Sequence, residues 1–119
     1  MEIVQSDSLE FLRKIPDFEN DIVFADPPYG MGSEIIIRTD GKVDYEKATD
    51  FMNKWQMPTG DYWESWFRES FRTLKHGGYC ILFGMDRVTL MFKYYAHLAG
   101  FREHQSLYWY CTTIGCDLA

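Results

Sequence analysis

Apolar residues recur along this chain in two periods, and the switches between them outline alternating strands and helices. Glu2 to Gln5 forms a first short strand. Ser6-Asp7-Ser8 is a helix start, and Leu9, Phe11, Leu12 and Ile15 follow at amphipathic spacing until Pro16 and Asp17 close the helix. The run DIVFAD over 21–26 is continuously apolar, β-branched and bounded by turn signals, which predicts a buried strand of a parallel sheet. From Pro27 to Gly60 the pattern lapses. Glycines stand at 30, 32, 41 and 60 among mixed charges, with one short strand at Ile35-Ile36-Ile37. Such a stretch in a compact domain is a lid or partly disordered, so a mobile loop over about 30–60 is expected.

The pattern then resumes. Asp61 caps a helix from Tyr62 to Lys75 with Trp63, Trp66, Phe67, Ser70, Phe71 and Leu74 on one face, and His76-Gly77-Gly78 is its glycine stop. Tyr79 to Phe83 is a second buried strand. Asp86 opens another helix with Val88, Leu90, Met91, Tyr94, Tyr95 and Leu98 as apolar stations, stopped at Gly100, and Arg102 to Tyr110 is the last strand. The order β-α-β-loop-α-β-α-β predicts an α/β fold: a mostly parallel, right-handed wound sheet with helices on both faces. Sites in such sheets lie at the carboxyl ends of the strands. Three loops meet there: Ser6-Asp7-Ser8, Asp26-Pro27-Pro28-Tyr29 and Gly84-Met85-Asp86.

Composition narrows the class. At 119 residues the chain is one domain at most and an incomplete one is expected, with 46% hydrophobic, 18% aromatic and 25% charged residues, which argues against disorder. No apolar run reaches the length of a membrane span, so no membrane partner is expected. The start MEIVQSDSLEFLRK lacks the basic head and apolar stretch of a secretion signal, so a cytoplasmic chain is expected. Twelve basic against eighteen acidic residues give a net charge of −6, which weighs against tight phosphate-driven DNA binding by this chain alone. Cys80 reads as a small buried hydrophobe. Cys111 and Cys116 have no ligating partners nearby, so no metal is expected.

The residues with chemistry in them are Asp26-Pro27-Pro28-Tyr29-Gly30, at the end of the buried strand. Two prolines remove two backbone donors and hold the chain extended or turned, leaving carbonyls outward. A carboxylate, a fixed carbonyl and an aromatic ring are presented together. Asp26 and the Pro27 carbonyl suit both hydrogens of an exocyclic amine on a planar base, while Tyr29 stacks on its ring. Drawing that amine toward tetrahedral geometry localises its lone pair and aims it at an electrophilic methyl group, without a strong base. The blander reading is a Pro-Pro strand terminus with Tyr29 capping the core. The position after DIVFA, 19 residues beyond Asp7 at another strand end, favours the functional one.

These residues resemble the S-adenosylmethionine-dependent amino-methyltransferases of DNA, and DPPY resembles the adenine-N6 branch. SDSLEFLRKIPDFENDIVFADPPYG is similar to the opening of the permuted subgroup, in which the catalytic motif precedes the glycine-rich cofactor motif. FMNKWQ at 51–56, WFRESFRTLKHGG at 66–78, YCILFG at 79–84 and AGFREHQSLYWY at 99–110 resemble its continuation. The resemblance implies a partial Rossmann-like fold, S-adenosylmethionine as methyl donor, and a flipped-out adenine in DNA as substrate. It further implies a bacterial or phage-encoded chain of the restriction-modification kind. It carries Asp26, Pro27, Pro28 and Tyr29 over as catalytic, and Asp7, Ser8 and Asp26 as cofactor-binding. Asp7 reads equally as a helix cap. Phe83, Gly84 and Trp55 are substrate-pocket candidates, although a packed strand end accounts equally for the first two, and ordinary burial is the favoured account of Trp55.

The chain departs from the family pattern at Ser6, where the family has glycine, and at His76, where it has proline. His76 reads as a helix-end residue favoured by the dipole, and His97 and His104 have no evident partners. No glycine-rich cofactor segment is present, and the chain stops at CTTIGCDLA, where the permuted subgroup's recognition region begins. The resemblance therefore implies an amino-terminal catalytic half, completed by a missing carboxyl-terminal half or by self-association into a homo-oligomer. Two other readings stay open: cytosine-N4 methylation, whose motif begins with Ser, and an inactive sheet fragment that binds a partner chain. In RNA-base and protein-glutamine methyltransferases the glycine-rich segment comes first, whereas only 25 residues precede Asp26 here.

Overall fold

The computed structural model describes residues 1–28, 34–46, 58–84 and 86–108. In order these form α1 (Ser8–Lys14), β1 (Asn20–Ala25), β2 (Glu34–Ile37), β3 (Val43–Glu46), α2 (Gly60–Thr73), β4 (Leu74–Leu82) and α3 (Asp86–Ala99). β1 and β4 pair in parallel with Ile22, Val23, Phe24 and Ala25 opposite Tyr79, Cys80, Ile81 and Leu82. β2 and β3 form a separate antiparallel hairpin. The described residues thus show an α/β arrangement whose parallel sheet has two strands. No described helix is long and apolar enough to cross a membrane.

One core holds the elements together. Leu9 and Leu12 of α1, Trp63, Trp66 and Phe67 of α2, and Met91, Phe92 and Tyr95 of α3 are buried against one another, and Val23, Ala25, Cys80 and Leu82 pack on them from the sheet. Period-two alternation sends the intervening Ile22, Phe24, Tyr79 and Ile81 to the opposite face, where all four are exposed. This corrects the expectation of helices on both faces. The three described helices share one side, and no described helix covers the other, which is apolar.

Several elements differ from the sequence reading. Met1–Gln5 lies outside any strand, and so do residues 102–108 of the expected last strand. α2 stops at Thr73, so His76-Gly77-Gly78 is part of β4 and not a helix stop. Leu74 turns extended (ψ 138°) while its N–H still reaches the Phe71 carbonyl. Gly77 at φ +79° then absorbs the irregularity between the Asn20–Leu74 and Ile22–Tyr79 pairs, a backbone state glycine adopts without a Cβ clash. His76, expected at a helix end, instead stacks on Phe18 with ring centroids 5.0 Å apart. In α3 the buried stations are Met91, Phe92 and Tyr95, while Leu90 and Leu98 are exposed. The helix is rotated so that its aromatics, with more area to bury, face α2.

Within the expected loop, residues 34–46 form the hairpin, which is docked on the helices. Tyr95 donates its hydroxyl proton to the Val43 carbonyl at 2.5 Å. Thr59, the cap residue of α2, makes no side-chain cap bond, and the Asp44 carboxylate accepts from the Gly60 N–H at 3.1 Å. Asp61 is therefore not the cap. It lies in the first turn and pairs with Arg38 at 2.9 Å, while Lys42 reaches Glu64 at 2.5 Å. Arg38 is the largest influence holding the Asp61 carboxyl below its usual range.

Candidate active site

The candidate catalytic residues leave the sheet at the carboxyl end of β1. Exposure alternates along this strand, and Asp26 continues the outward set of Ile22 and Phe24 and is itself exposed. Pro27 and Pro28 follow, half-buried. The ladder runs one step past β4, because the Phe83 N–H donates to the Ala25 carbonyl at 3.0 Å. That bond places Phe83 and Gly84 beside the start of the Asp-Pro-Pro turn. Phe83 belongs to the same outward set as Tyr79 and Ile81, and its ring meets Phe24 edge-to-face, centroids 5.4 Å apart at 78°. The structure thus brings Asp26, Pro27, Pro28, Phe83 and Gly84 to one sheet end. Tyr29, Trp55, Cys111 and Cys116 lie outside the described residues.

Asp7 and Ser8 are held differently, by α1 and α2. Asp7 is the N-cap of α1, and its Oδ1 accepts from the Leu9 and Glu10 N–H groups at 3.0 and 3.1 Å. Its Oδ2 accepts from the Tyr62 hydroxyl at 3.1 Å. Trp66 Nε1 donates to Ser8 Oγ at 3.1 Å, and Ser8 Oγ lies 3.1 Å from Tyr62 Oη. The donor inventory sets the direction of this last bond. Indole is donor only and a carboxylate acceptor only, so the single Tyr62 proton goes to Asp7 and Ser8 must donate to Tyr62. The chain runs from Trp66 through Ser8 and Tyr62 to Asp7, each bond polarising the next. The Tyr62 hydroxyl has a raised pKa, chiefly from burial, with the Asp7 carboxylate adding to it and the Ser8 bond opposing.

This network bears on the cofactor expectation. Of about four acceptor positions on a carboxylate, three on Asp7 are taken, which leaves room for a single donor such as an adenine amine or a ribose hydroxyl. The residues therefore fit one contact to the adenosyl end of S-adenosylmethionine. Among the described residues no glycine-rich turn follows a strand to hold its methionine end, and no group of three or more His, Cys, Asp or Glu is placed to hold a metal ion. Sequence reasoning missed Tyr62 as a partner of Asp7. The signal was its i,i+4 spacing from Trp66, which puts both side chains on one face of α2.

Across 111 residues the chain is 24% identical to the type II methyltransferase M.HpaI of Haemophilus parainfluenzae, a match covering 92% of this chain and 32% of that protein. The chain is similar to type II methyltransferases. M.HinfI of Haemophilus influenzae is 34% identical over 83 residues, covering 64% of this chain and 22% of that protein. M.BamHI of Bacillus amyloliquefaciens is 26% identical over 85 residues, covering 71% and 18% respectively. This methyltransferase-like chain therefore spans a third or less of the length of the curated relatives it matches. No family model matches it.

Proposed function

We propose that this chain carries the amine-binding side of an S-adenosylmethionine-dependent DNA methyltransferase of partial Rossmann-like fold, acting on the exocyclic N6 of a flipped-out adenine. The observation that supports this most is the Asp26-Pro27-Pro28 turn at the carboxyl end of a parallel strand, with Phe83 hydrogen-bonded alongside. Tyr29 completes the catalytic set as a stacking ring, Gly84 adjoins the substrate pocket, and Trp55 is a further candidate for it. The proposed partner is DNA, in a bacterial or phage-encoded restriction-modification setting in the cytoplasm.

In this reading the Asp26 carboxylate and the Pro27 carbonyl accept the two amine hydrogens and draw the nitrogen toward tetrahedral geometry. The localised lone pair then forms the new N–C bond, and the extra proton on nitrogen leaves toward Asp26. S-adenosylmethionine, when bound, would supply the electrophilic methyl group, its methyl–sulfur bond breaking as the N–C bond forms and the thioether leaving with that electron pair. Asp7 Oδ2 takes one donor of the adenosyl end, with Ser8 holding it through Tyr62. Polypeptide beyond these 119 residues, in the same chain or a partner, supplies the grip on the methionine end.

The test is methyl transfer to unmethylated DNA, read as N6-methyladenine by mass spectrometry, by the active assembly that contains this chain, as wild type and as Asp26→Ala. Activity is expected to vanish in the variant while the fold is kept, because Asp26 is exposed. Undiminished activity in Asp26→Ala, or N4-methylcytosine as the product, overturns the assignment. Calorimetric titration of S-adenosylmethionine, with Asp7→Ala as comparison, reports whether the donor site is complete within this chain.

A further inference from the structure

We propose that Tyr62 is a positioning residue of the donor site, holding the second oxygen of Asp7 in place before a ligand arrives. This rests on the reading above in which Asp7 Oδ2 takes one donor of the adenosyl end of S-adenosylmethionine. A helix cap alone does not account for the arrangement. The cap of α1 is made by Oδ1, which accepts from the Leu9 and Glu10 N–H groups. The bond from the Tyr62 hydroxyl to Oδ2, at 3.1 Å and across 55 positions of chain, adds nothing to that cap.

Asp7 is exposed, and a carboxylate at the surface ordinarily gives up rotamer freedom when it binds. Here both oxygens are already tied, one to α1 and the other to α2. The tie to α2 is anchored in the core. Trp66 is 4% exposed and meets Trp63 and Phe67 edge-to-face, with centroids 5.8 and 5.2 Å apart. With the Tyr62 proton committed to Asp7, Ser8 donates to Tyr62 and accepts from the Trp66 indole. Burial, which raises the Tyr62 pKa, keeps that proton in place at neutral pH. The remaining acceptor position of Asp7 is therefore aimed by a rigid frame, as a preorganised contact requires. A second tie between the same helices lies away from Asp7. Arg72 donates to the Leu12 carbonyl at 3.0 Å and pairs with Asp17 at 2.6 Å. Removing it loosens α1 on α2 without touching the carboxylate, which makes it the control.

The test is calorimetric titration of S-adenosylmethionine into the active assembly that contains this chain. Wild type is compared with Tyr62→Phe, Arg72→Leu, Asp7→Asn and the double variant Asp7→Asn with Tyr62→Phe. Phenylalanine keeps the ring and removes the hydroxyl, whereas asparagine keeps an N-cap and removes the carboxylate. Asp7→Asn is expected to weaken binding about tenfold or more, the loss typical of a hydrogen bond to a charged group. Tyr62→Phe should weaken it about three- to tenfold, the range for immobilising one side chain on binding. Arg72→Leu should stay within about twofold of wild type, as a site with no shared partner does. The double variant should bind no worse than Asp7→Asn, because Tyr62 acts through Asp7. With Asp7→Asn weakened, three results overturn the role of Tyr62 and leave the donor-site reading standing: unchanged affinity in Tyr62→Phe, an equal loss in Arg72→Leu, or losses that add in the double variant. Equal affinity of Asp7→Asn and wild type, or no binding in wild type, overturns that reading and the positioning role with it. Urea midpoints of each variant separate these results from unfolding.

Discussion

Two fully buried hydroxyls one turn apart on α2 should respond to removal with opposite signs. Ser70 is 0% exposed and its Oγ has no hydrogen-bond partner among the described residues, while Thr73 is also 0% exposed but donates from Oγ1 to the Ser70 carbonyl at 3.1 Å. A buried hydroxyl without a partner costs about 1–3 kcal/mol of desolvation, and serine is roughly 0.5 kcal/mol worse than alanine inside a helix. Ser70→Ala removes both penalties and only one atom of packing, so a gain of about 1–2 kcal/mol is expected. Thr73→Val keeps the shape but strands a carbonyl in the last turn of α2, with an expected loss of about 1 kcal/mol or more. Urea unfolding followed by tryptophan fluorescence reads both. With a slope near 2 kcal/mol/M, the midpoint should rise by about 0.5–1 M for Ser70→Ala and fall by about 0.5 M for Thr73→Val, at unchanged slope. A lower midpoint for Ser70→Ala would refute the reasoning, since it would mean that the hydroxyl is satisfied in solution.

Other consequences can be checked on the same protein. A methyl group at Gly60 would overlap the Tyr95 hydroxyl and the Val43 carbonyl that it bonds. Gly60→Ala is therefore expected to destabilise by about 2 kcal/mol or more and to shift the hairpin amides in an NMR spectrum. Burial pushes the Cys80 thiol up to about 12 from about 9, and burial, with Asp44 next, pushes the Tyr95 hydroxyl up to about 12 from about 10. Both pKa values are higher in the folded state, so their contribution to stability is complete below about pH 9 and is lost as pH rises toward about 12. Urea midpoints should hold between pH 7 and 8 and fall above pH 9, and a flat profile would contradict these burials. Finally, the exposed apolar face of Ile22, Phe24, Tyr79 and Ile81, beside strand edges unpaired among the described residues, is expected to drive self-association at tens of micromolar. A clean monomer mass by light scattering would refute that, and Ile22→Lys should reduce association if it occurs.

The sequence by itself determined those features whose cause is local. IVFA at 22–25 and YCIL at 79–82 are runs of β-branched and apolar residues too short for helices, and they are the paired parts of β1 and β4. Asp7 ahead of Leu9 and Leu12 is a capped helix start, and Trp63, Trp66 and Phe67 are a buried stripe. The resemblance to DNA methyltransferases was read from Asp26-Pro27-Pro28-Tyr29-Gly30 with the segments around it, and the chain is similar to three type II methyltransferases. What required the tertiary structure are choices between partners that no local pattern records. His76-Gly77-Gly78 suits a helix stop or a kinked strand equally, and pairing with β1 decided for the strand. Met1–Gln5 and residues 102–108 have strand-like content, but they are unpaired among the described residues, and a strand exists only where another backbone completes its hydrogen bonds. Ser6-Asp7-Ser8 carries no mark of its tie to Tyr62 and Trp66, because a hydrogen-bond chain across 54 or more residues depends on where α2 packs. Nor does DIVFA reveal that Phe24 faces outward beside Phe83. Alternation separates the two faces of a strand, but only packing determines which of them the helices cover.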